Sequence, residues 1–302
     1  MLFIKLKKKV NRRLKFKKLQ NNNRKLYPIL KSLIKNKINI FDIGAGQRML
    51  PEIINFNSIS KVFLIDPNDN IKFCYDQLIK YFSDIKNIFT YKYGISDKTK
   101  KLKYFKSYKS TISTFALNDK KLKKNLKYYG KKNEFHQVFS FKDFLKKFEL
   151  PKPDIVKIDV EGFEVKVISS VLKSSSPLIV QIEANINNPM LNESFSKINK
   201  LFINKEYFLY TLFPSYGEIN LEKDNEINLA DIELNLKKKN IVQAECYYIK
   251  KKKYYSIKDL VCFYCYGFHD FFLKKLNDLS NKLSKSEKKS LKYLENLLND
   301  QF

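Results

Sequence analysis

Tryptophan is absent from this chain of 302 residues. Lysine, asparagine, isoleucine, phenylalanine and tyrosine are abundant instead, which is the bias that an AT-rich coding sequence produces. Hydrophobic residues nevertheless make up 44% of the chain, and aromatic residues make up 15%. This content excludes a disordered polypeptide and is sufficient for the core of one large domain, with or without appendages.

Cysteine is scarce, and long apolar runs are missing. The four cysteines are Cys74, Cys246, Cys262 and Cys265. No stretch reaches the roughly 18 apolar residues of a membrane-spanning helix, and no secretion signal is expected at the basic N-terminus. Free thiols in a reducing cytoplasm are therefore expected. The spacing Cys262-x-x-Cys265-x-x-x-His269 fits a metal site, but aromatic residues lie between these positions, and a buried helix face is the preferred interpretation.

Negative charge is missing from the first 41 residues, while the whole chain has a formal net charge of +28 and a pI near 9.7. Within residues 1–25, Phe3, Leu6, Val10 and Leu14 follow helical spacing among lysines and arginines. A basic amphipathic helix of this kind can lie on an anionic membrane surface, which would place the protein peripherally at the inner membrane face. The alternative is a solvated basic arm, and the positive excess of the chain either serves binding to an anionic partner or reflects coding bias.

The string NIFDIGAG is a short apolar strand that runs into a turn with Asp42, Gly44 and Gly46. A second apolar strand ends at Asp66 and Pro67. Glycine permits close backbone approach and positive φ, and a carboxylate at the end of the next strand can accept both hydroxyls of a ribose. The separation of 24 residues between Asp42 and Asp66 is near the roughly 20 typical of such pairs. Together these features predict a site for an adenosine-bearing cofactor.

Strands and helices alternate along the chain, which predicts an α/β fold with a mostly parallel sheet covered on both faces. The last two predicted strands suit an antiparallel edge. The predicted strands cover 38–42, 61–66, 87–93, 154–159, 177–183, 206–213 and 241–249. The predicted helices cover 26–35, 50–56, 70–82, 140–148, 163–173 and 192–204, and two more follow within 273–298 with a break near Ser284.

Five strings occur in order with regular spacing: FDIGAG, FLIDPN, ISTFALN, DIVKIDVEGFE and VQIEA. Together they resemble the FkbM family of S-adenosylmethionine-dependent methyltransferases over roughly residues 38–250. The resemblance implies a Rossmann-like, seven-stranded class I methyltransferase fold with an antiparallel edge strand, plus C-terminal helices. That domain would cover 37–252, after a basic arm and short helix over 1–36 and before a helical extension over 253–302.

The KIDVEG string carries the candidate catalytic residues. Asp159 ends a strand, Glu161 follows in the turn, and Glu183 ends the next strand along the chain. Lys157 lies two residues before Asp159, on the same face of the strand, and could keep that carboxylate ionised. The three carboxylates allow two roles that the sequence leaves open. One is a general base that takes the proton of an acceptor hydroxyl, and the other is a set of oxygen ligands for Mg²⁺.

Five further residues complete the predicted site. Ser96 and Asp97 follow a strand and are expected to meet the adenine, although Asp97 could equally be an ordinary turn residue. Ser113 and Thr114 fall on a Ser-Ser pair of the family, which implies a place at the mouth of the active site. Arg48 stands where the family pattern has a small residue and a further glycine. Its guanidinium could reach the carboxylate of the cofactor or a substrate phosphate.

The resemblance implies an O-methyltransferase that acts on a hydroxyl of a sugar, a glycan or a related small molecule. An RNA methyltransferase is a second hypothesis, which the positive charge favours. The chain has neither the Asn/Asp-Pro-Pro-aromatic motif for exocyclic amines nor a Pro-Cys nucleophile, so a nucleic-acid partner is not expected. A third hypothesis, which the altered glycine loop keeps open, is a non-catalytic binding protein on this fold.

Overall fold

The computed structural model describes residues 26–46, 55–56, 58–68, 71–79, 85–106, 115, 134–186, 195–217, 240–279 and 283–299. The basic arm over 1–25, most of the predicted helix over 50–56, and three predicted substrate-binding residues lie outside the described residues. Those three residues are Arg48, Ser113 and Thr114.

Ten strands are present within this part of the chain. They are β1 (Ile38–Ile43), β2 (Ser60–Ile65), β3 (Ile88–Tyr91), β4 (Gly94–Ser96), β5 (Lys100–Tyr104), β6 (Glu134–Ser140), β7 (Ile155–Ile158), β8 (Ile179–Asn185), β9 (Tyr207–Gly217) and β10 (Asn240–Lys250).

Seven of these strands form the central sheet, in the order β3-β2-β1-β7-β8-β10-β9. The first five strands in this order pair in parallel. Strand β10 runs antiparallel to both of its neighbours, β8 and β9. The predicted class I fold is therefore confirmed, and its reversed strand lies one place in from the edge. Because the other six strands point the same way, their carboxyl ends meet along one edge of the sheet.

Helices flank the sheet, and the predicted helices within the described residues are confirmed with ends that differ by a few residues. The predicted break near Ser284 separates the last two helices. The helices are α1 (26–33), α2 (Ile71–Ile79), α3 (Phe141–Lys147), α4 (Glu164–Ser174), α5 (Phe195–Ile203), α6 (Ile257–Cys265), α7 (His269–Leu279) and α8 (Lys285–Asn299). None of them is both long enough and apolar enough to cross a membrane.

The strand predicted over 87–93 is present as the shorter β3 of the central sheet, and the chain changes sheets directly after it. Strand β3 ends at Tyr91, where a tight turn brings the Tyr93 N–H to the Tyr91 carbonyl at 3.0 Å. Strand β4 then joins a second sheet of three strands, in the order β4-β6-β5. Strands β4, β5 and β6 have no counterpart among the predicted strands. The sequence showed only that this segment departs from simple alternation.

A hydrophobic core lies on each face of the central sheet. On one face the sheet packs against α1 and the C-terminal helices α6 to α8. On the other face it packs against α3, α4 and α5. The C-terminal helices bury large side chains in the first core, so they are part of the folded unit that contains the sheet. The fully buried side chains of these helices include Leu260, Phe263, Phe272, Leu291 and Leu294.

Candidate functional site

The glycine turn after β1 brings two strand ends into close contact. Gly44 has a φ of +81° and Gly46 has a φ of +46°, a region of backbone conformation that favours glycine. A Cβ on Gly44 would lie 1.7 Å from the backbone oxygen of Asp159, at the end of the neighbouring strand β7. Gly44 is therefore required by the contact between these two strand ends, independently of any ligand.

Asp66 lies at the end of β2 and is tied to the same turn. Its Oδ2 accepts a hydrogen bond from the Gly46 N–H at 2.9 Å, and its Oδ1 accepts one from the Asn68 N–H at 2.7 Å. Burial raises the pKa of Asp66 to about 6, although these hydrogen bonds oppose the rise. Each carboxylate oxygen keeps a second lone pair, so Asp66 can still accept hydrogen bonds from a ligand hydroxyl.

A narrow cavity opens between the ends of β1, β2 and β7. It brings together four predicted site residues, because Gly44, Asp66, Pro67 and Asp159 all lie on its wall. The other lining residues are Ile43, Ile65, Tyr93, Gly94, Ile95, Tyr104, Phe115, Val160 and Phe163.

Ser96 and Asp97 are not among the residues that line this cavity. Ser96 is fully buried, and its hydroxyl donates a hydrogen bond to Asp97 Oδ1 at 2.9 Å. Gly94 and Ile95, from the same strand, line the wall instead. The proposed contact of Ser96 and Asp97 with an adenine ring stays a prediction.

Lys157 lies between two carboxylates beneath the cavity. Its Nζ is 3.4 Å from Asp42 Oδ1 and 3.2 Å from Asp159 Oδ2. Burial alone would lower the pKa of Lys157, but the charges of Asp42 and Asp159 outweigh it and raise that pKa above its usual range. Burial also raises the pKa of Asp42, against the effect of Lys157. Lys157 thus stays protonated and supplies a fixed positive charge next to Asp159.

Asp42 is fully buried, and neither of its oxygens accepts a hydrogen bond from the described residues. It was predicted as a cofactor-binding residue. The structure places it under the glycine turn, beside Lys157, and away from the cavity wall.

Three carboxylates converge at the carboxyl ends of β7 and β8. Oxygen atoms of Asp159, Glu161 and Glu183 all lie within 4.8 Å of one another. Glu161 has a φ of +50°, which is uncommon for a residue with a Cβ, and Gly162 follows with a φ of +89°. Burial raises the pKa of Glu183 to about 7, and the charge of the adjacent Asp159 raises it further in the same direction. The site therefore holds a carboxyl whose pKa is raised by its surroundings, next to a carboxylate that contacts a lysine.

Two residues near this acidic trio were missed by the sequence analysis. Glu245 in β10 lies directly opposite Glu183 in β8, and it accepts a hydrogen bond from the Gln181 amide. Finding Glu245 requires the antiparallel register of β10 on β8, which no local pattern reveals. The other is Asn185, at the end of β8, two residues beyond Glu183. Asn185 is buried, and its side-chain oxygen and nitrogen have no partner among the described residues.

The cysteines at the end of α6 belong to the core. Cys262 and Cys265 are buried in the hydrophobic cluster that faces the C-terminal helices, and burial raises the pKa of both thiols. The buried helix face preferred from the sequence is thus what the structure shows. A high thiol pKa disfavours the thiolate form that binds metals.

The sequence matches one family model, described as the Methyltransferase FkbM domain, over residues 46–210. This match covers more than half of the chain and includes β2 to β8, the acidic trio and Asp66. None of the curated protein sequences matches the chain.

Solved structures of methyltransferases share distant similarity with the chain. Methyltransferase FkbM from Methylobacillus flagellatus KT is 12% identical, with a TM-score of 0.40, over 70% of this chain and 43% of that chain. Precorrin-6y C5,15-methyltransferase from Geobacter metallireducens GS-15 is 13% identical, with a TM-score of 0.37, over 76% and 87% of the two chains. StiE O-MT residues 961–1257 are 12% identical, with a TM-score of 0.38, over 84% and 80%. Similarities this low assign no function.

Proposed function

We propose a reaction for this chain from the premise that it belongs to the FkbM methyltransferase family, whose domain model matches residues 46–210. The chain is a methyltransferase. The proposed reaction transfers the methyl group of S-adenosylmethionine to a hydroxyl of a sugar, a glycan or a related small acceptor. One observation carries the proposal. A single cavity has Asp66 and the glycine turn on one side and Asp159, from the acidic trio, on the other.

The residues around Asp66 fit the proposed cofactor. A buried carboxylate with free lone pairs, held by the Gly46 N–H of the glycine turn and the Asn68 N–H of its own turn, is suited to accept both ribose hydroxyls. Gly46 and Pro67 lie beside it and would contact the nucleoside. When bound, S-adenosylmethionine supplies a methyl group on a positively charged sulfur. Asp159 and Asp66 also make this end of the sheet negative, which favours a cationic ligand.

Asp159 is the proposed general base. The acceptor oxygen forms a bond to the methyl carbon while the sulfur–carbon bond breaks, and the sulfur keeps the electron pair of that bond. The acceptor hydroxyl must lose its proton, which passes to a carboxylate oxygen of Asp159. Lys157, 3.2 Å from that carboxylate, forms an ion pair with it and holds it in position. The Asn185 amide has no partner among the described residues and can donate to, or accept from, a second hydroxyl of the acceptor.

Mg²⁺ is the alternative use of the acidic trio. Oxygen atoms within 4.8 Å of one another on Asp159, Glu161 and Glu183 fit the all-oxygen ligand set that this ion prefers. In that case the three carboxylates would hold the ion, and the ion would orient the hydroxyls of the acceptor. Added Mg²⁺ should then raise activity and EDTA should suppress it. If Asp159 acts as a general base without the ion, neither addition should change activity.

The test is a methyl-transfer assay with the full-length chain. The protein is incubated with S-adenosylmethionine labelled in its methyl group and, separately, with oligosaccharides, RNA or unlabelled protein. We expect label in the oligosaccharide fraction as an alkali-stable methyl ether. Label in RNA alone would replace the proposal with the nucleic-acid hypothesis, which the net charge of +28 favours. Cofactor binding without label in any fraction would contradict the proposed reaction.

A further inference from the structure

A second concave site lies beside the acidic trio, on the face of the sheet that carries α6 to α8. It is a groove of about 590 Å³, within the roughly 300–1,000 Å³ typical of ligand sites. We call it the aromatic groove. The lining residues on which its chemistry depends are Tyr210, Thr211, Phe213, Tyr247, Asp270 and Lys274.

A bulge in β9 directs side chains into the aromatic groove. Tyr247 pairs with Thr211 and Tyr248 pairs with Leu209, so Tyr210 is an extra residue in the ladder. Bulges of this kind turn a side chain to a new direction. As a result the adjacent residues Tyr210 and Thr211 both line the groove.

The rings of the groove support one another in fixed orientations. Phe213 packs edge-on against Tyr247, with ring centroids 5.7 Å apart and an interplanar angle of 90°. Tyr247 packs against Phe268 in the same way, with centroids 5.8 Å apart and an angle of 89°. Phe213 is nevertheless 57% exposed. A large, supported and solvent-exposed ring is a surface on which a ligand can stack.

Charged groups line the same groove. Asp270 and Lys274 lie four residues apart in α7, on one helix face, and both border the rings. Together with the hydroxyl of Thr211 they provide hydrogen-bond acceptors and donors around an aromatic wall. A purely apolar ligand would leave these polar groups without partners. A sugar presents an apolar C–H face to a ring and hydroxyls around its rim, so its surface matches both components.

Hydrogen bonds link the wall of the groove to a residue next to the acidic trio. The Tyr266 hydroxyl donates a hydrogen bond to the Gln181 side-chain oxygen, and the Gln181 amide donates one to Glu245. Glu245 lies opposite Glu183. Tyr247 follows Glu245 by two residues, a step of about 7 Å along the same face of β10. The trio and the groove therefore lie on neighbouring strands, about one sugar ring apart along the sheet.

We propose that the aromatic groove binds saccharide residues of the acceptor that lie beyond the hydroxyl to be methylated. This inference rests on the proposed function and specifies its substrate as an oligosaccharide of two or more residues. Phe213 and Tyr210 stack on the sugar rings, and Asp270 and Lys274 bind their hydroxyls.

The test is ligand-observed NMR on the full-length chain without cofactor, with maltotriose, chitotriose and trigalacturonate as the probes. We expect saturation transfer to at least one trisaccharide. Phe213→Ala should weaken that binding roughly tenfold, and Asp270→Asn should weaken it severalfold. Tyr254→Ala removes a ring that is 64% exposed and is not among the residues that line the groove, so it should leave the affinity unchanged. Thermal melting of each variant verifies that it is folded.

Two outcomes would overturn the inference. One is that none of the three trisaccharides binds, and the other is equal affinity for wild type, Phe213→Ala and Asp270→Asn. S-adenosylmethionine binding is measured on the same samples. If saccharide binding is absent while cofactor binding is intact, only the role of the groove is contradicted. If cofactor binding is absent, the proposed function is contradicted.

Discussion

At the scale of single residues, the site is a set of carboxyl groups whose surroundings differ. Asp66 is held by two backbone N–H groups, Asp159 contacts Lys157, and Glu183 is half-buried beside Asp159. Burial and like charge raise the pKa of Glu183, while Asp159 forms an ion pair with Lys157 at 3.2 Å. Neighbouring carboxyls in such different environments suit different roles in a reaction that moves a proton.

Asp159→Asn tests the general base. The substitution keeps the shape of the side chain and removes its capacity to accept a proton from the acceptor. We expect kcat to fall by roughly 10²–10⁴ with the affinity for the cofactor little changed. Asp278→Asn, at a side chain that is 61% exposed on α7, serves as the matched control and should keep wild-type turnover. Near-normal turnover of Asp159→Asn would remove Asp159 from the chemistry and make Glu161 and Glu183 the next candidates.

Glu183→Gln tests the electrostatics of the trio through stability. The pKa of Glu183 is about 7 in the folded protein and 4.5 in an unfolded chain. Between these values the folded state holds a proton that the unfolded state has released. Raising the pH through this window therefore lowers the free energy of unfolding. Because glutamine carries no such proton, the Tm of the variant relative to wild type should rise from pH 5 to pH 8.

Glu149→Gln is the control for this comparison, since Glu149 is exposed at the end of α3. Its Tm difference from wild type should be small and independent of pH. A Tm difference between Glu183→Gln and wild type that stays constant from pH 5 to pH 8 would show that Glu183 does not titrate as proposed.

At the scale of elements, α6 shows how the C-terminal segment contributes to the fold. Ser256 caps the helix by accepting a hydrogen bond from the Asp259 N–H, and the Asp259 carboxylate accepts one from the Ser256 N–H. Phe263 is fully buried and packs edge-on against Phe271 of α7 and Tyr255, with centroids 4.9 and 5.4 Å away. The helix thus closes the first core over the sheet that carries the site.

Phe263→Ala should therefore destabilise the whole domain. Removal of a fully buried phenylalanine leaves a cavity, and the expected loss is about 3–5 kcal/mol in the free energy of unfolding. Tyr293→Ala on α8, where the side chain is 41% exposed, should cost much less. Urea unfolding of both variants measures the difference. Equal losses, or two separate transitions in wild type, would mean that residues 253–302 form an independent unit.

Sequence patterns predicted the elements of the central sheet because its strands are short apolar runs with clear ends. They also located Asp66, Asp159 and Glu183, since a polar residue after an apolar strand lies at the carboxyl edge of a parallel sheet. The patterns did not reveal β6 or the switch of sheets after Tyr91. Glu245 and the aromatic groove were equally hidden, because both depend on the register of β10 and on the bulge at Tyr210, which are set by pairing between distant segments.

At the scale of the whole molecule, the dominant feature is the net charge of +28. The N-terminal arm over 1–25 has no acidic residue and precedes α1, which packs in the same core as the C-terminal helices. We propose that this arm binds an anionic membrane surface and leaves the cavity and the acidic trio accessible to the acceptor.

Deletion of residues 1–25 tests this role. The full-length chain should float with anionic vesicles and be released at moderate salt, while the truncated chain should stay in the soluble fraction. Vesicles of neutral lipid provide the control, and neither form should float with them. Equal flotation of both forms with anionic vesicles would exclude the arm as the anchor. Methyl transfer to a soluble acceptor should survive the deletion in either case.

The central claim is that the cavity between Asp66 and Asp159 binds S-adenosylmethionine, and calorimetric titration of the full-length chain tests it most directly. Wild type should bind the cofactor at one site, and Asp66→Ala should bind it more weakly by about 2–3 kcal/mol, the loss of hydrogen bonds to a charged group. Asp278→Ala, at an exposed aspartate, should bind like wild type. No binding to wild type, or unchanged affinity in an Asp66→Ala protein with a normal melting transition, would contradict the assignment.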